Sequence, residues 1–178
     1  FRDLLDSYFP TRIKELNKMY DYFEERILLL PASGMEHFHN AFPGGYVDHV
    51  LRVHSFTLKQ YELWKNMGMK VNNFTPEELN FAALKHDFGK LGLPGEGREL
   101  FIPNRDNWSR GKGKVYSMNP KVAYMETTDR TFYLLNYYGV PYSENEMIGI
   151  QLTDGLYNET NKPYLVSFDL EKKLRNTM

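Results

Sequence analysis

His86 and Asp87 stand side by side near the end of the apolar stretch Leu79 to Lys90, which reads Leu-Asn-Phe-Ala-Ala-Leu-Lys-His-Asp-Phe-Gly-Lys. An imidazole next to a carboxylate at the end of a buried helix can bind one transition metal, or two with the carboxylate as bridge. The chain has five histidines and no cysteine, so thiolate metal sites, disulfides and a cysteine nucleophile are excluded, and any metal is held by His, Asp or Glu. Lys90 leaves the helix close to Asp87, where it can meet a phosphate oxygen or answer the helix C-terminus.

Three predicted helices have to position these groups. Thr75-Pro76-Glu77-Glu78 is a helix start, with Thr75 as N-cap, Pro76 at the first helical position and Glu78 completing a capping box. The helix that follows is apolar around much of its circumference, with His86 presented inward and Gly89 read as a left-handed cap. Tyr46 to Asn66 forms a second helix, stopped near Gly68, with His49 near its start. His49 and His54 are five residues apart and point away from each other, so at most one joins a shared site, and His54, on an apolar stripe, reads as a core histidine. Pro10 to Leu30 is a packing helix, and a loop carrying His37 and His39 leads from it to Gly44-Gly45.

Downstream, residues 91 to 119 contain five glycines and no helical period, and Leu100-Phe101-Ile102 with Val115-Tyr116-Ser117 predicts a small hairpin. Arg98, Arg105, Arg110, Lys112 and Lys114 make this excursion the most basic part of the chain, and excursions of this length are often lids or binding loops. Asn119-Pro120 predicts a helix to Tyr138 with Val122, Met125, Asp129 and Phe132 on one face. Ser143 to Glu146 is a second capping box, ahead of a face carrying Met147, Ile150, Gln151 and Asp154. A short strand over Tyr164 to Phe168 and a helix over Leu170 to Asn176 complete the reading.

Composition sets the outer bounds. The 178 residues suit one domain, 1–178, and the 13 Tyr, 12 Phe and 2 Trp suit a core needing large buried area. A net charge of −1 gives no global field toward nucleic acid or acidic membranes, although a local basic patch is compatible with it. No apolar run is long enough for a membrane span and no signal-peptide pattern opens the chain, so a cytoplasmic protein is the default. The start at Phe1 without a methionine leaves room for a fragment, and for a ligand beyond Met178.

Gly44-Gly45-Tyr46-Val47-Asp48-His49 followed by His86-Asp87-Phe88-Gly89-Lys90 resembles the HD-domain superfamily of metal-dependent phosphohydrolases, whose pattern is a histidine, an adjacent His-Asp and a distant Asp on a helical core. The likeness runs from about Ala32 to Asp154, and the overall sequence is similar to HD-domain proteins carried by bacteriophages. It implies an all-α, HD-domain-like helical bundle with the 91–119 excursion inserted as a long loop or small β-hairpin. It further implies metal ligation by His49, His86 and Asp87, with Asp154 as the distant acid and Asp129 as runner-up. By the same likeness His39 lines the site, substrates are nucleotides or related phosphomonoesters, and the setting is a host cytoplasm if the chain is phage-encoded. No histidine follows His86, where family members with two metals commonly place more, so one metal per chain is expected.

Two imidazoles and one or two carboxylates leave open positions on a Mn, Fe, Co, Ni, Zn or Mg ion, where water and a phosphoryl oxygen can both bind. Asp87 and Lys90 are then the catalytic candidates, and Lys90, His39, Arg105 and Arg110 the substrate-binding ones. Two other readings stand beside this one: a catalytically silent HD domain that binds a nucleotide or a protein partner, and an HD-type di-iron oxygenase, which needs more ligands than the chain offers. Oligomeric state is not readable from the sequence.

Overall fold

The computed structural model describes residues 2–69 and 73–166. They form a helical assembly with one two-stranded hairpin, as the all-α reading with a small insertion expects. In chain order these are α1 (Arg2–Tyr8), α2 (Ile13–Leu29), α3 (Gly45–Asn66), α4 (Pro76–Lys85), a 3-10 turn (Phe88–Leu91), β1 (Phe101–Pro103), α5 (Asn107–Arg110), β2 (Tyr116–Met118), α6 (Thr127–Tyr138), α7 (Glu144–Gln151) and α8 (Lys162–Leu165). No helix among the described residues is long and apolar enough to cross a membrane.

The core forms where α2 lays Leu16, Met19, Tyr20, Phe23 and Ile27 against α4, the 3-10 turn and α6. Both capping boxes form as their residue types require, with Thr75 and Glu78 closing the start of α4 and Ser143 and Glu146 that of α7. Phe81, Leu84 and Phe88 are fully buried, which makes α4 the central helix. Lys85, one residue before the His-Asp pair, is also fully buried. Its ammonium donates to the Tyr20 hydroxyl and lies 4.3 Å from that ring's centroid. Burial, aided by the charge of Arg12, pushes its pKa well below the usual lysine range.

Four local expectations are corrected. The helix expected from Asn119 begins only at Thr127. The Asn119 carboxamide oxygen accepts from the Lys121 amide at 3.0 Å, making a turn instead of a cap, and buried Arg130 takes the carbonyls of Ala123 (3.3 Å) and Met125 (3.0 Å). Asp129 is therefore exposed, and its neighbours Thr128, Arg130 and Thr131 face inward. Gly89 is not a left-handed cap: it lies inside the 3-10 turn, where a Cβ would overlap the Thr127 carbonyl oxygen and stand 2.9 Å from the Thr131 amide nitrogen. The glycine is needed there for close approach to α6. Tyr164 and Leu165 belong to α8 instead of a strand, and residues 170–176 lie outside the described residues.

The hairpin pairs Phe101 with Met118 and Pro103 with Tyr116, one residue further along than the sequence suggests. It docks on the loop after α2, where the Tyr116 amide donates to the Gly34 carbonyl (3.1 Å) and the Glu36 amide to that of Gly113 (2.7 Å).

Candidate metal centre

Each donor is held by a different local device. His49 sits one turn into α3, whose start is tied down by the Tyr46 amide donating to the Leu30 carbonyl at 3.0 Å. His86 is the C-cap of α4 and follows its last turn. Asp87 is clamped by what comes after it. Phe88 packs edge-on against Tyr20 and Phe23, while the Gly89 amide donates to the Thr131 hydroxyl at 2.8 Å and the Gly89 carbonyl accepts from Arg130 at 3.3 Å.

These devices converge on a small triangle. His49 Nε2 lies 3.1 Å from His86 Nε2 and 3.1 Å from Asp87 Oδ2, and His86 Nε2 lies 3.4 Å from the same oxygen. Donors bound to one ion at about 2.0–2.2 Å stand roughly 2.8–3.6 Å apart in octahedral or tetrahedral geometry, so the triangle has the dimensions of one face of a coordination shell. His86 Nδ1 stands 2.8 Å from the Ala83 carbonyl, and a proton assigned to Nδ1 by that contact turns the Nε2 lone pair toward the cluster. A hydrogen bond between the two facing imidazole nitrogens needs a proton on one of them, so the ion-free site carries at least one shared proton, which an ion would displace.

The fourth nearby donor is His39. Its ring centroid is 4.4 Å from that of His49, and His39, His49 and Asp87 offer ligand atoms all within 4.8 Å of one another, a group that could hold a metal ion. Asn40 brings it there. Asn40 takes a left-handed φ of 52° and its side chain donates to Asp48 Oδ2 (2.6 Å) and the Gly45 carbonyl (3.1 Å), folding the loop back over the start of α3. Reading His39 only as a lining residue underestimates it, and the signal available in the sequence was the asparagine beside it. His37 is outside this group, and His54 is a satisfied core histidine, 2.5 Å from Asn80 Oδ1.

Lys90 Nζ donates to Asp87 Oδ2 at 2.6 Å, so one carboxylate oxygen meets two imidazoles and an ammonium. Burial would raise the Asp87 carboxyl, but the hydrogen bonds from His49 and His86 and the charges of His86 and Lys90 hold it well below the usual carboxylate range. Burial likewise pulls the His86 imidazole down, yet the hydrogen bond and charge of Asp87 outweigh it and keep the ring above its ordinary value. His39 moves the other way, lowered by partial burial and by the neighbouring His49 and Lys90. The Tyr46 hydroxyl, three residues before His49, is fully buried and has no hydrogen-bond partner among the described residues. Burial, with Tyr20 and Asp87 nearby, pushes it well above the usual phenol range.

The remaining candidates fall outside the triangle. Asp154 lies past the end of α7 in an exposed turn, yet partial burial and the charge of Asp87 raise its carboxyl while Lys90 pulls it back, so it shares the field of the cluster. Asp129 is exposed on α6, a correction to its inward reading, because the helix starts later than expected. Arg105 and Arg110 are exposed, and the cation that shapes the charge around Asp87, His39 and Asp154 is Lys90. Arg130, which donates to the Gly89 carbonyl behind Asp87, is the structural support that periodicity missed. Set against known protein families, curated proteins and solved structures, the chain finds no match in any of the three.

Proposed function

We propose that this chain is an HD-type, metal-dependent phosphohydrolase that cleaves the phosphate ester of a nucleotide or related phosphomonoester. The observation that supports this reading is the triangle of His49, His86 and Asp87, with the Lys90 ammonium on the same Asp87 oxygen. His49, His86 and Asp87 would hold one divalent ion, with His39 above them and Asp154 as the distant acid. Such an ion supplies a water of lowered pKa and a Lewis acid for a phosphoryl oxygen.

The chain's own groups do the rest. Lys90 is placed to give up part of its contact with Asp87 and donate to a phosphate oxygen, a charge-assisted hydrogen bond that orients the phosphorus. Partial burial and the charge of Asp87 raise the Asp154 carboxyl, and a cation held at the cluster would offset that charge, which makes Asp154 the candidate for an additional oxygen donor. His39, whose pKa partial burial and then its neighbours His49 and Lys90 lower, is available as an acceptor for a ligand or a proton.

Release of inorganic phosphate from a nucleotide panel with added Mn or Co tests the proposal. His86→Ala and Asp87→Ala should each abolish turnover, and equal activity in those variants would overturn it. The second reading, a silent domain that binds nucleotide without turnover, draws on the lack of any histidine after His86. Metal-dependent nucleotide binding with no phosphate release would favour it.

A further inference from the structure

Away from the metal centre, the last turns of α2, the segment Pro31, the excursion after the 3-10 turn and the hairpin enclose a cleft of about 750 Å³. Its size is that of a small-molecule site. Leu29, Leu30, Pro31 and Pro43 supply an apolar wall, and Phe101 and Tyr116 of the hairpin face it.

The walls are tied together in advance. Arg26 donates from Nη1 to the carbonyls of Leu91 (3.2 Å) and Leu93 (2.8 Å) and from Nη2 to that of Gly95 (2.6 Å), and the Gly95 amide donates to the Tyr22 hydroxyl at 2.6 Å. These bonds hold the excursion against α2 and occupy both terminal nitrogens of the one arginine in the lining. The rim carries the opposite charge. Glu25, Glu96 and Glu99 line the cleft, and among the described residues none of the three forms an ion pair. Lys121 stands beside Gly97 at the edge but pairs with none of them.

An anionic ligand such as a phosphate ester would meet three carboxylates, an arginine whose terminal nitrogens are already engaged and, at the edge, one lysine, Lys121. A ligand with an apolar or aromatic body and a single positive charge meets the reverse: a greasy wall for the body, carboxylates for the charge and the side chains of Tyr22 and Tyr116 in the lining. We propose that this cleft is a binding site for a small organic cation, an amine or guanidine on an apolar frame, separate from the metal centre.

Tryptamine, titrated into the ion-free protein and followed by amide chemical shifts and calorimetry, is the probe. Saturable shifts at Gly95, Gly97 and Tyr116 are expected, with the neutral analogue tryptophol weaker by about tenfold and the anion indole-3-propionate weaker still. The double variant Glu96→Gln with Glu99→Gln should lose the preference for tryptamine over tryptophol, while Tyr116→Ala should weaken both. His86→Ala should leave tryptamine binding unchanged, so the outcome is independent of any result on phosphate release. Equal binding of the three indoles, tightest binding of the anion, or no saturable shift at the cleft would overturn the proposal.

Discussion

The two ends of α4 are both crowded with charge, yet they are built on opposite plans. At its start, Glu78 closes the capping box with Thr75 and also accepts from the Ser143 hydroxyl (2.6 Å) and the Asn145 amide (3.2 Å), which locks the start of α4 to that of α7. Beside it the buried Arg12 bridges Glu146 (2.5 and 2.8 Å) and Glu77 (2.8 Å), donates to the Pro141 carbonyl at 2.9 Å and stacks over Phe81. Apart from Arg12 Nε, no buried side-chain donor or acceptor there is left without a partner among the described residues. At the other end, donors gather around one carboxylate oxygen, two imidazoles face each other, and a buried hydroxyl is left without a partner among the described residues. A saturated polar cluster holds helices together, whereas a cluster with crowded donors and an unmatched hydroxyl is not explained by helix packing alone.

The largest effect should come from the saturated end. Glu146→Ala leaves Arg12 buried with only Glu77, and removing one partner of such a pair costs about 3–5 kcal/mol. For a chain of this size, each kcal/mol lowers the melting temperature by about 2–4 °C. Thermal unfolding should therefore show a fall of at least about 6 °C, and a loss under about 1 kcal/mol would erase the contrast between the two ends.

The unsaturated end should instead answer to pH and metal. The His86 pKa is raised in the folded state, so its stabilisation is fully present below the unfolded value of about 6.5 and is lost as pH rises through the folded value. The Asp87 pKa is depressed, so its contribution is present above about 3.9 and is lost as pH falls through the folded value. The ion-free cluster is thus most stabilising between about pH 4 and 6.5. Metal binding needs the imidazole proton gone, so the rise in melting temperature on adding Mn or Co should grow from about pH 6 to pH 8 while the ion-free protein loses stability. Parallel pH trends with and without metal would break this part of the comparison.

The smallest effects should be of similar size and opposite sign. Thr75→Ala removes a cap and should destabilise by about 1 kcal/mol. Tyr46→Phe removes an unpartnered buried hydroxyl and should stabilise the ion-free protein by about 1 kcal/mol. Denaturant midpoints read both, and a destabilising Tyr46→Phe would show that the hydroxyl has a partner after all.

Much of this scaffold was legible because the deciding interactions are local. A capping box is written in four consecutive residues, so the starts of α4 and α7 could be read directly, as could the length of α3. Asn119-Pro120 misled because an asparagine before a proline starts a turn as readily as a helix, and the deciding contacts come from Arg130 and from the carbonyls of Gly97 and Glu99, which the Asn119 side chain ties to itself. Gly89 misled in the same way: a glycine near a helix end serves a left-handed cap or a close approach equally well, and only the position of α6 separates the two. For the site, His49, His86, Asp87 and Lys90 could be picked from spacing and resemblance. The place of His39 depends on how Asn40 turns the loop, which no periodicity records.

The turn after Asp87 has a consequence for the stiffness of the cluster. Phe88 is packed into α2 and Gly89 against α6, so the backbone that carries the carboxylate is held from both sides. The triangle's edges of 3.1, 3.1 and 3.4 Å each involve His86 or Asp87, so all three depend on that backbone. A glycine held tight against a neighbouring helix thereby sets the scale of the cluster.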